Sequence, residues 1–247
     1  MHTLNYTKTK FYRKWKEFFF LLIVLSFLIF SCKKNDLNTL NDGLMAYYPL
    51  DGSAIDESGN GHNGILYGTA LSTDKYNQPN KALSFSGNNS FINLGYNFDY
   101  PLRTINIWFY ADSIDQIARH IYISDNPKLK YGFTQIKIME INGEKQIRSS
   151  AGIPGGIAEG SSDVVEKEWY MITLVVDSNE TRHYLNGSLF GKFGNGLITS
   201  SSGDTSALLG TSREFDRYFI GKLDNVRIYN RALSEAEIKK LVSKNAL

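Results

Sequence analysis

The chain has 247 residues, enough for one large all-β domain, and its richness in tyrosine, phenylalanine and glycine favours strands and turns. The single cysteine excludes an intrachain disulfide. The formal net charge is only +2, so no strong charge imbalance indicates a polyanionic partner.

The N-terminus has the pattern of a secretory signal. Basic residues between Lys8 and Lys16 precede the apolar run Phe18–Phe30, and Cys32 follows two residues later. This run is shorter than the roughly 20 residues that a membrane-spanning helix needs. Residues 1–31 hold five basic residues and one acidic residue, so removing their net +4 takes the formal charge from +2 to −2. The remaining chain has no basic field, which excludes nucleic acid as a partner.

The end of this segment, Ile29-Phe30-Ser31-Cys32, is similar to a bacterial lipobox, in which the cysteine is lipidated and becomes the mature N-terminus. The alternative is an uncleaved N-terminal anchor, and both alternatives attach the chain to a membrane. We predict a lipoprotein signal peptide over residues 1–31 and a lipidated Cys32 with a flexible polar tether over residues 32–42. The predicted location is the cell envelope, at the outer membrane, either periplasmic or surface-exposed.

From Gly43 onward, short strand patterns are separated by turn residues. Glu168–Asp177 is apolar almost throughout, which is typical of a central strand covered on both faces. The Gly- and Ser-rich stretch Gly152–Glu168 is predicted as a long loop. The predicted strands are Leu44–Leu50, His62–Tyr67, Lys81–Gly87, Ser90–Gly95, Arg103–Ala111, Ala118–Ser124, Gly132–Glu140, Gln146–Ser150, Glu168–Asp177, Thr181–Lys192 (a hairpin), Ala207–Gly210 and Tyr218–Asn230.

Three pairs of turn residues predict hairpins. Asn142-Gly143 and Asn186-Gly187 supply the positive φ angles that two-residue hairpin turns need. Asn88-Asn89, between two alternating segments, predicts a third hairpin.

A helix is predicted at the C-terminal end. Ser234 and Glu237 have the spacing of a capping box, and Ile238, Leu241 and Val242 follow at helical spacing. The helix is too short to be stable alone, so it must dock on the strands. Many short strands and one terminal helix predict an all-β, two-sheet antiparallel jelly-roll sandwich over residues 43–247.

Four stretches of the sequence are distinctive: GLMAYYPLDGSAIDESGNGHNG, KALSFSGNNSFINLG, EWYMITLVVDSNETRHYLNG and FIGKLDNVRIYNRALSEAEI. Together they resemble the laminin G-like jelly-roll domains of the concanavalin A-like lectin/glucanase group. The resemblance covers Gly43 to Val242. It implies two antiparallel sheets and recognition of glycans or proteins far more often than catalysis. It also implies a surface or periplasmic lipoprotein, or a module attached to carbohydrate-degrading enzymes.

A structural calcium site is predicted in the early loop. Asp56, Ser58 and Asn60 occupy alternate positions of a loop with a glycine at its sixth position, and His62 would offer its backbone carbonyl. Asp224, in an otherwise apolar strand, is costly to bury unless a cation or hydrogen bonds satisfy it. The resemblance implies that Asp224 supplies the second carboxylate. The alternative is that Asp56 and Asn60 cap their own turn while backbone N–H groups satisfy Asp224.

A glycan-binding surface needs exposed aromatic planes together with polar partners for hydroxyl groups. Trp108 and Trp169 lie in strongly apolar strands and are expected in the core. The candidates in loops or weaker strands are Tyr122, Tyr131, Arg213, Phe215 and Tyr218. The alternative for the last three is an ordinary solvated loop.

Catalytic motifs are missing from the sequence. It contains no E-x-D-x-x-E, no G-x-S-x-G and no H-E-x-x-H, and His183, on a hairpin, is expected at the surface. We therefore predict a membrane-anchored, non-catalytic module with a structural calcium that recognises a glycan or cell-envelope polysaccharide. Two alternatives stay open: a structural or adhesive lipoprotein that binds a surface protein, and a glycan-active enzyme.

Overall fold

The structure is a computed structural model that describes residues 40–125, 133–153, 156–194 and 205–243. These residues form two antiparallel sheets and a short helix near the C-terminal end, which confirms the predicted sandwich. The predicted signal peptide, Cys32 and all of the tether before Leu40 lie outside the described residues. Within the described ranges, no helix is both long and apolar enough to cross a membrane.

The described residues contain fifteen strands and one helix. The strands are β1 (Leu44–Tyr48), β2 (Ile65–Tyr67), β3 (Ala70–Ser72), β4 (Ala82–Ser86), β5 (Phe91–Asn93), β6 (Arg103–Ala111), β7 (Arg119–Asp125), β8 (Phe133–Ile141), β9 (Glu144–Ile153), β10 (Gly156–Asp163), β11 (Trp169–Val176), β12 (Glu180–Leu185), β13 (Ser188–Gly194), β14 (Leu208–Leu209) and β15 (Ile220–Tyr229). The helix α1 spans Glu235–Val242.

The larger sheet has eight strands in the order β13-β12-β11-β6-β15-β4-β3, with β1 also paired to β15. The smaller sheet has seven strands in the order β10-β9-β8-β7-β14-β5-β2. The strand β15 therefore lies at the centre of the larger sheet. Its first half pairs with β4 and its second half pairs with β1, while β6 flanks its other side.

Alternation along the strands decides which side chains enter the core. In β6, Ile105, Ile107 and Phe109 face the interior between the sheets and are fully buried. The core contains matching residues of β15, Leu223 and Ile228, at the same inner face. The alternate residues of both strands face outward on the larger sheet, and this outer face is where polar side chains accumulate.

Two predicted connections are wrong. The stretch predicted as a long loop contains the edge strand β10, which pairs along its whole length with β9. Glycine is uncommon within strands, so this segment has a low strand propensity. Glycine is nonetheless needed for packing here, since a Cβ at Gly160 would lie 2.8 Å from Cγ of His183. The pair Asn88-Asn89 does not close a hairpin, because β4 and β5 belong to different sheets. Here the chain crosses between sheets, and both strands face one core.

The hairpins at Asn142-Gly143 and Asn186-Gly187 are confirmed, with φ angles of 55° and 85° and of 49° and 78°. The predicted capping box is also present, because Ser234 Oγ accepts a hydrogen bond from the Glu237 N–H and the Glu237 carboxylate accepts one from the Ser234 N–H. The apolar side of α1 packs on the outer face of the larger sheet, in a cluster of Leu40, Trp108, Met171, Val175, Tyr184, Tyr229, Leu233, Ile238 and Leu241.

Candidate functional site

Polar and aromatic side chains meet on the outer face of the larger sheet where β6 and β15 pair. Trp108 and Asp224 are directly opposite each other in this ladder. Their neighbours Phe109 and Leu223 enter the core, so alternation sends Trp108 and Asp224 outward. Both are nonetheless buried, with exposed fractions of 8% and 1%. The predicted burial of Trp108 is confirmed, on the outer side of the sheet.

A β-bulge in β15 connects this carboxylate to the first strand. The bulge lies between Asp224 and Arg227, and Asn225 within it has a φ of 49°, a conformation that asparagine tolerates better than most residues. The Asn225 Nδ2 donates a hydrogen bond to Asp224 Oδ1 (2.7 Å). The Tyr47 hydroxyl donates to Asn225 Oδ1 (2.9 Å). The bulge thus aims an amide at the buried carboxylate and at a tyrosine of β1.

The connection between β3 and β4 covers Asp224 from outside. Asp74 fixes this loop, because its Oδ1 accepts hydrogen bonds from the N–H groups of Tyr76 and Gln78, both at 2.8 Å. The loop places Lys75 Nζ 3.6 Å from Asp224 Oδ2. The loop therefore lays an ammonium group over the buried carboxylate.

The charges at this place are poorly solvated. Burial raises the pKa of Asp224 to about 6, although the nearby Lys75 ammonium opposes the shift. Burial also lowers the pKa of Lys75, against the attraction of Asp224. Within the part of the chain that the structure describes, Asp224 Oδ2 has no hydrogen-bond partner. The carboxylate is thus incompletely satisfied, with one amide and one lysine facing it.

A cavity of about 110 Å³ opens beside this pair. It is lined by Tyr47, Pro49, Asp51, Asp74, Tyr76, Gln78, Lys81 and Asn225. Asp51 forms an ion pair with Lys81 across it. The cavity is smaller than the roughly 300–1,000 Å³ of typical small-molecule pockets. Its carboxylates, amides and tyrosine rings are the groups that bind hydroxyl groups and apolar ring faces of a small ligand.

The loop predicted to bind calcium satisfies its own carboxylate. Asp56 Oδ1 accepts hydrogen bonds from the N–H groups of Tyr47 and Ser58, both at 2.9 Å, and Oδ2 accepts one from the N–H of His62 at 3.0 Å. Burial by itself raises the pKa of Asp56, but these hydrogen bonds outweigh it and hold the pKa below its usual value. The carboxylate therefore closes the loop onto β1.

The other predicted calcium ligands also contact the protein itself. Ser58 Oγ and Asn60 Nδ2 both donate to the Met45 carbonyl, at 3.2 and 3.1 Å. The His62 carbonyl accepts a hydrogen bond from the Tyr48 hydroxyl at 2.6 Å. The loop thus covers the edge of β1 with side-chain donors, as the turn-capping alternative describes.

Asp56 and Asp224 have different partners in the structure, and Tyr47 contacts both regions through its backbone and its hydroxyl. In the described ranges, no group of three or more His, Cys, Asp or Glu side chains is placed to hold a metal ion. As placed, these residues do not fit the proposed ligand set. Calcium at this loop stays a prediction.

The predicted glycan-binding residues lie apart from the cavity. Tyr122 is fully buried between the sheets, so it cannot stack on a ligand and that prediction is wrong. Tyr131 lies outside the described residues. Arg213 forms a salt bridge with Asp125 at 2.6 Å. The sequence could not show that Tyr122 is buried in the core or that Arg213 is paired with another side chain of the protein.

Phe215 and Tyr218 do lie at the surface, near the edge of the smaller sheet. The Phe215 ring is 46% exposed and meets Phe91 edge-on, with the ring centroids 5.1 Å apart. Phe91 in turn stacks on Tyr67 at 4.4 Å. The Tyr218 hydroxyl donates to Asn89 Oδ1 (3.2 Å). Phe215 therefore belongs to an exposed aromatic cluster of Tyr67, Phe91 and Phe215.

Sequence reasoning pointed to Asp224 but missed its surroundings. Tyr47, Lys75, Tyr76 and Gln78 lie in segments that look like an ordinary strand and an ordinary polar loop. The available signal was a charged loop that precedes a strand pattern, and that strand, β4, belongs to the same sheet as Asp224. Nothing in the sequence distinguished this loop from the other polar loops.

Comparison with known proteins agrees with this architecture. A laminin G family model, described as the concanavalin A-like lectin/glucanases superfamily, matches residues 71–239. None of the curated proteins matches the sequence.

Several solved structures share the fold. Domain 4 of AbnA, an extracellular GH43 arabinanase from Geobacillus stearothermophilus solved in complex with arabinotriose, aligns with a TM-score of 0.64 and 21% identity, over 81% of this chain and 98% of that domain. The binding domain of Paraclostridial Mosquitocidal Protein 1 aligns with 0.62 and 19%, over 82% of this chain and 52% of that domain. The botulinum neurotoxin serotype D binding domain aligns with 0.63 and 15%, over 83% and 52%. The chain thus spans about half of each toxin domain.

Proposed function

Because this chain belongs to the concanavalin A-like lectin/glucanases superfamily, we propose that it is a non-catalytic binding module that recognises carbohydrate. The observation that carries this proposal is the cavity on the outer face of the larger sheet. It combines tyrosine rings, amides and carboxylates at one place. Sugars need this combination, since their hydroxyl groups require hydrogen-bonding partners and their ring faces pack on apolar planes.

The groups at the cavity are suited to binding. Asp74 holds two backbone N–H groups of its own loop, and Asp51 is paired with Lys81. Asp74 thereby fixes the loop that brings Tyr76 and Gln78 to the cavity. The solved AbnA domain with arabinotriose supports a carbohydrate ligand by fold similarity.

Attachment to the cell envelope is a further part of the proposal. It rests on the basic residues, the apolar run Phe18–Phe30 and Cys32. A lipid on Cys32 would hold the module at the outer membrane, within reach of cell-envelope or extracellular polysaccharide. Metabolic labelling with a clickable fatty acid tests it: wild type should be labelled, and Cys32→Ser should not.

A glycan-array screen tests carbohydrate binding directly. The full chain, purified in detergent, is screened with calcium and again with a chelator. We expect binding in both conditions if the cavity alone holds the glycan, and binding lost on chelation if the predicted calcium is needed. Absence of glycan binding both with calcium and with chelator contradicts the proposal.

Matched variants locate the site. Tyr76→Ala and Gln78→Ala change the cavity, while Phe215→Ala changes the aromatic cluster at the edge of the other sheet. We expect the two cavity variants to weaken glycan affinity by about tenfold, equivalent to ~1.4 kcal/mol. Phe215→Ala should leave it unchanged. The reverse result would move the site to the smaller sheet.

Binding of a surface protein is the second candidate function. The exposed cluster of Tyr67, Phe91 and Phe215 favours it, because aromatic residues are enriched in protein interfaces. A pull-down from the cell envelope should then recover a partner that Phe215→Ala loses and Gln78→Ala keeps. Recovery with both variants alike contradicts a partner at this cluster.

A further inference from the structure

The Lys75 ammonium group lies in a cage on the outer face of the larger sheet. Its Nζ is 4.5 Å from the centroid of the Trp108 ring and 4.8 Å from that of the Tyr76 ring. The third wall is Asp224, whose Oδ2 is 3.6 Å away. Two aromatic rings and a carboxylate around one nitrogen form the kind of site that proteins use to bind organic ammonium groups.

The carboxylate of this cage is incompletely hydrogen-bonded. Asp224 is 1% exposed, and its Oδ2 has no hydrogen-bond partner among the residues that the structure describes. A buried carboxylate oxygen without a hydrogen bond is costly, so its presence calls for an explanation. Lys75 at 3.6 Å supplies charge but is too far away for a good hydrogen bond. A donor that reached about 2.8 Å would satisfy the oxygen better.

The Lys75 side chain can leave the cage without unfolding its loop. The loop is held by Asp74, which caps the N–H groups of Tyr76 and Gln78, and by the Lys81 N–H to the Ser72 carbonyl. None of these bonds uses the Lys75 side chain. Exchange of one ammonium group for another keeps the charge balance at Asp224, and the released lysine regains its hydration. Additional contacts of the ligand in the adjacent cavity would then drive the exchange.

We propose that Trp108, Tyr76 and Asp224 bind the ammonium group of an amino sugar, and that Lys75 occupies this place when no ligand is bound. The inference rests on the proposed carbohydrate-binding function and names the class of glycan, one with free amino groups. The cavity beside the cage supplies partners for the hydroxyl groups of the same sugar ring, among them Gln78 and Asp51.

Chemical rescue tests the cage by itself. Lys75→Ala removes three methylenes and the ammonium group, the equivalent of propylammonium. The matched control is Lys222→Ala, since Lys222 Nζ also lies over a tyrosine ring (Tyr110, 4.6 Å), but its polar contact is the Thr73 hydroxyl. The readout is the thermal unfolding midpoint of the full chain in detergent, with propylammonium chloride, or with 1-propanol and sodium chloride.

We expect millimolar propylammonium to raise the unfolding midpoint of Lys75→Ala by several degrees, and 1-propanol to have no such effect. Lys222→Ala and the double variant Lys75→Ala/Asp224→Asn should not respond. Equal responses of Lys75→Ala and Lys222→Ala, or an equal effect of 1-propanol, would overturn the cage. If Lys75→Ala does not fold, Lys75→Met keeps most of the side-chain volume and removes only the ammonium group, so it is tested for a response to ammonium chloride, with sodium chloride as the salt control, against Lys222→Met.

The ligand class is tested with wild-type protein and two oligosaccharides that differ in one group. Oligomers of glucosamine carry ammonium groups, whereas their N-acetylated forms carry neutral amides on the same ring. We expect the glucosamine oligomer to bind at least about tenfold more tightly, and Asp224→Asn to remove this preference. Equal affinity for the two forms overturns the amino-sugar assignment. Binding of neutral glycans alone overturns it too but leaves the proposed function standing, whereas no glycan binding at all overturns both.

Discussion

Asp56 and Asp224 are both buried carboxylates, and the chain satisfies them in opposite ways. Asp56 accepts hydrogen bonds from three backbone N–H groups, which hold its pKa below the usual value. Asp224 accepts one hydrogen bond from an amide and faces a lysine at 3.6 Å, and burial raises its pKa to about 6. Burial alone therefore does not decide the state of a carboxylate, because the number and distance of its donors do.

The difference separates a structural role from a binding role. Backbone donors are fixed by the fold, so the interaction of Asp56 with them stabilises the native state. Lys75 is a side chain and can move, so the partner of Asp224 can be exchanged. The loop that holds Asp56 is closed on itself, while the face that holds Asp224 adjoins a cavity.

The largest expected effect is the loss of Asp56. Asp56→Ala leaves the N–H groups of Tyr47, Ser58 and His62 without their acceptor, and hydrogen bonds to charged groups contribute more than neutral ones. We expect the free energy of unfolding to fall by about 4 kcal/mol. For a domain of this size the thermal midpoint should drop by roughly 8–16 °C. Denaturant titration and thermal unfolding measure both values.

The control for this variant is Ser58→Ala, which removes neutral hydroxyl contacts with the Met45 carbonyl and with Asn60 and should cost about 1 kcal/mol. A loss below 1 kcal/mol for Asp56→Ala would show that its hydrogen bonds with the backbone donors contribute little to the free energy of unfolding. The same samples test calcium: if it binds here, a chelator lowers the midpoint of wild type and has no effect on Asp56→Ala.

The fold was largely predictable because it rests on periodicity and turn chemistry. The alternation in β6, the Asn-Gly hairpins and the capping box at Ser234 each depend on neighbouring residues alone. The crossing of the chain at Asn88-Asn89 was not predictable, since a hairpin and a sheet-to-sheet crossing need the same turn residues. The strand β10 was missed because glycine disfavours strands, while Gly160 is needed there for close contact with a distant residue, His183.

The site was only partly predictable, for a related reason. A charged residue inside an apolar strand marks Asp224 from the sequence, because such burial needs compensation. The compensating group, Lys75, is about 150 residues away in the chain, and only the tertiary structure brings them together. His183 was expected at the surface but is fully buried, because β12 packs against β10 of the opposite sheet. Its Nδ1 lies 2.7 Å from Oγ of Ser149 in β9.

An intermediate effect is expected from the pH dependence of stability. Asp224 binds its proton more tightly in the folded state (pKa about 6) than in the unfolded state (about 3.8), so its contribution is present at low pH and is lost as pH rises through 6. The stability of wild type relative to Asp224→Asn should therefore fall by about 2–3 kcal/mol between pH 4 and pH 7.5. Urea titrations across this range measure it.

The comparison with Asp224→Asn is necessary because two histidines titrate in the same range. Burial lowers the pKa values of His120 and His183 to about 4, so both destabilise the fold as pH falls below about 6.5. Both histidines are present in wild type and in Asp224→Asn, so their contributions cancel in the difference in stability between the two proteins. Asp56→Asn provides the opposite sign, since the contribution of Asp56 is present above its unfolded pKa and is lost as pH falls through its lowered folded pKa. If stability relative to wild type changed with pH in the same direction for both variants, the two carboxylates would not differ in their protonation behaviour as described.

The smallest expected effect comes from the residue that contacts both regions. Tyr47→Phe removes the hydrogen bond to Asn225 Oδ1 but keeps the backbone N–H bond to Asp56 and the ring beneath the Arg227 guanidinium, whose centre is 4.0 Å from the ring centroid. We expect a loss of about 1 kcal/mol in the free energy of unfolding. The matched variant Tyr48→Phe removes the hydroxyl that contacts the His62 carbonyl and so changes the loop side instead.

A double-mutant cycle then decides whether the two regions are one unit. If Tyr47→Phe acts only through Asn225, its cost should add to that of Asp56→Ala within about 0.5 kcal/mol. A coupling free energy above about 1 kcal/mol would mean that the closed loop at Asp56 and the face at Asp224 stabilise each other through β1. In that case the cavity is held in shape by the loop, and ligand affinity should fall in Asp56→Ala, which contacts no ligand. Additive costs with unchanged affinity would leave Asp56 as a purely local support of β1.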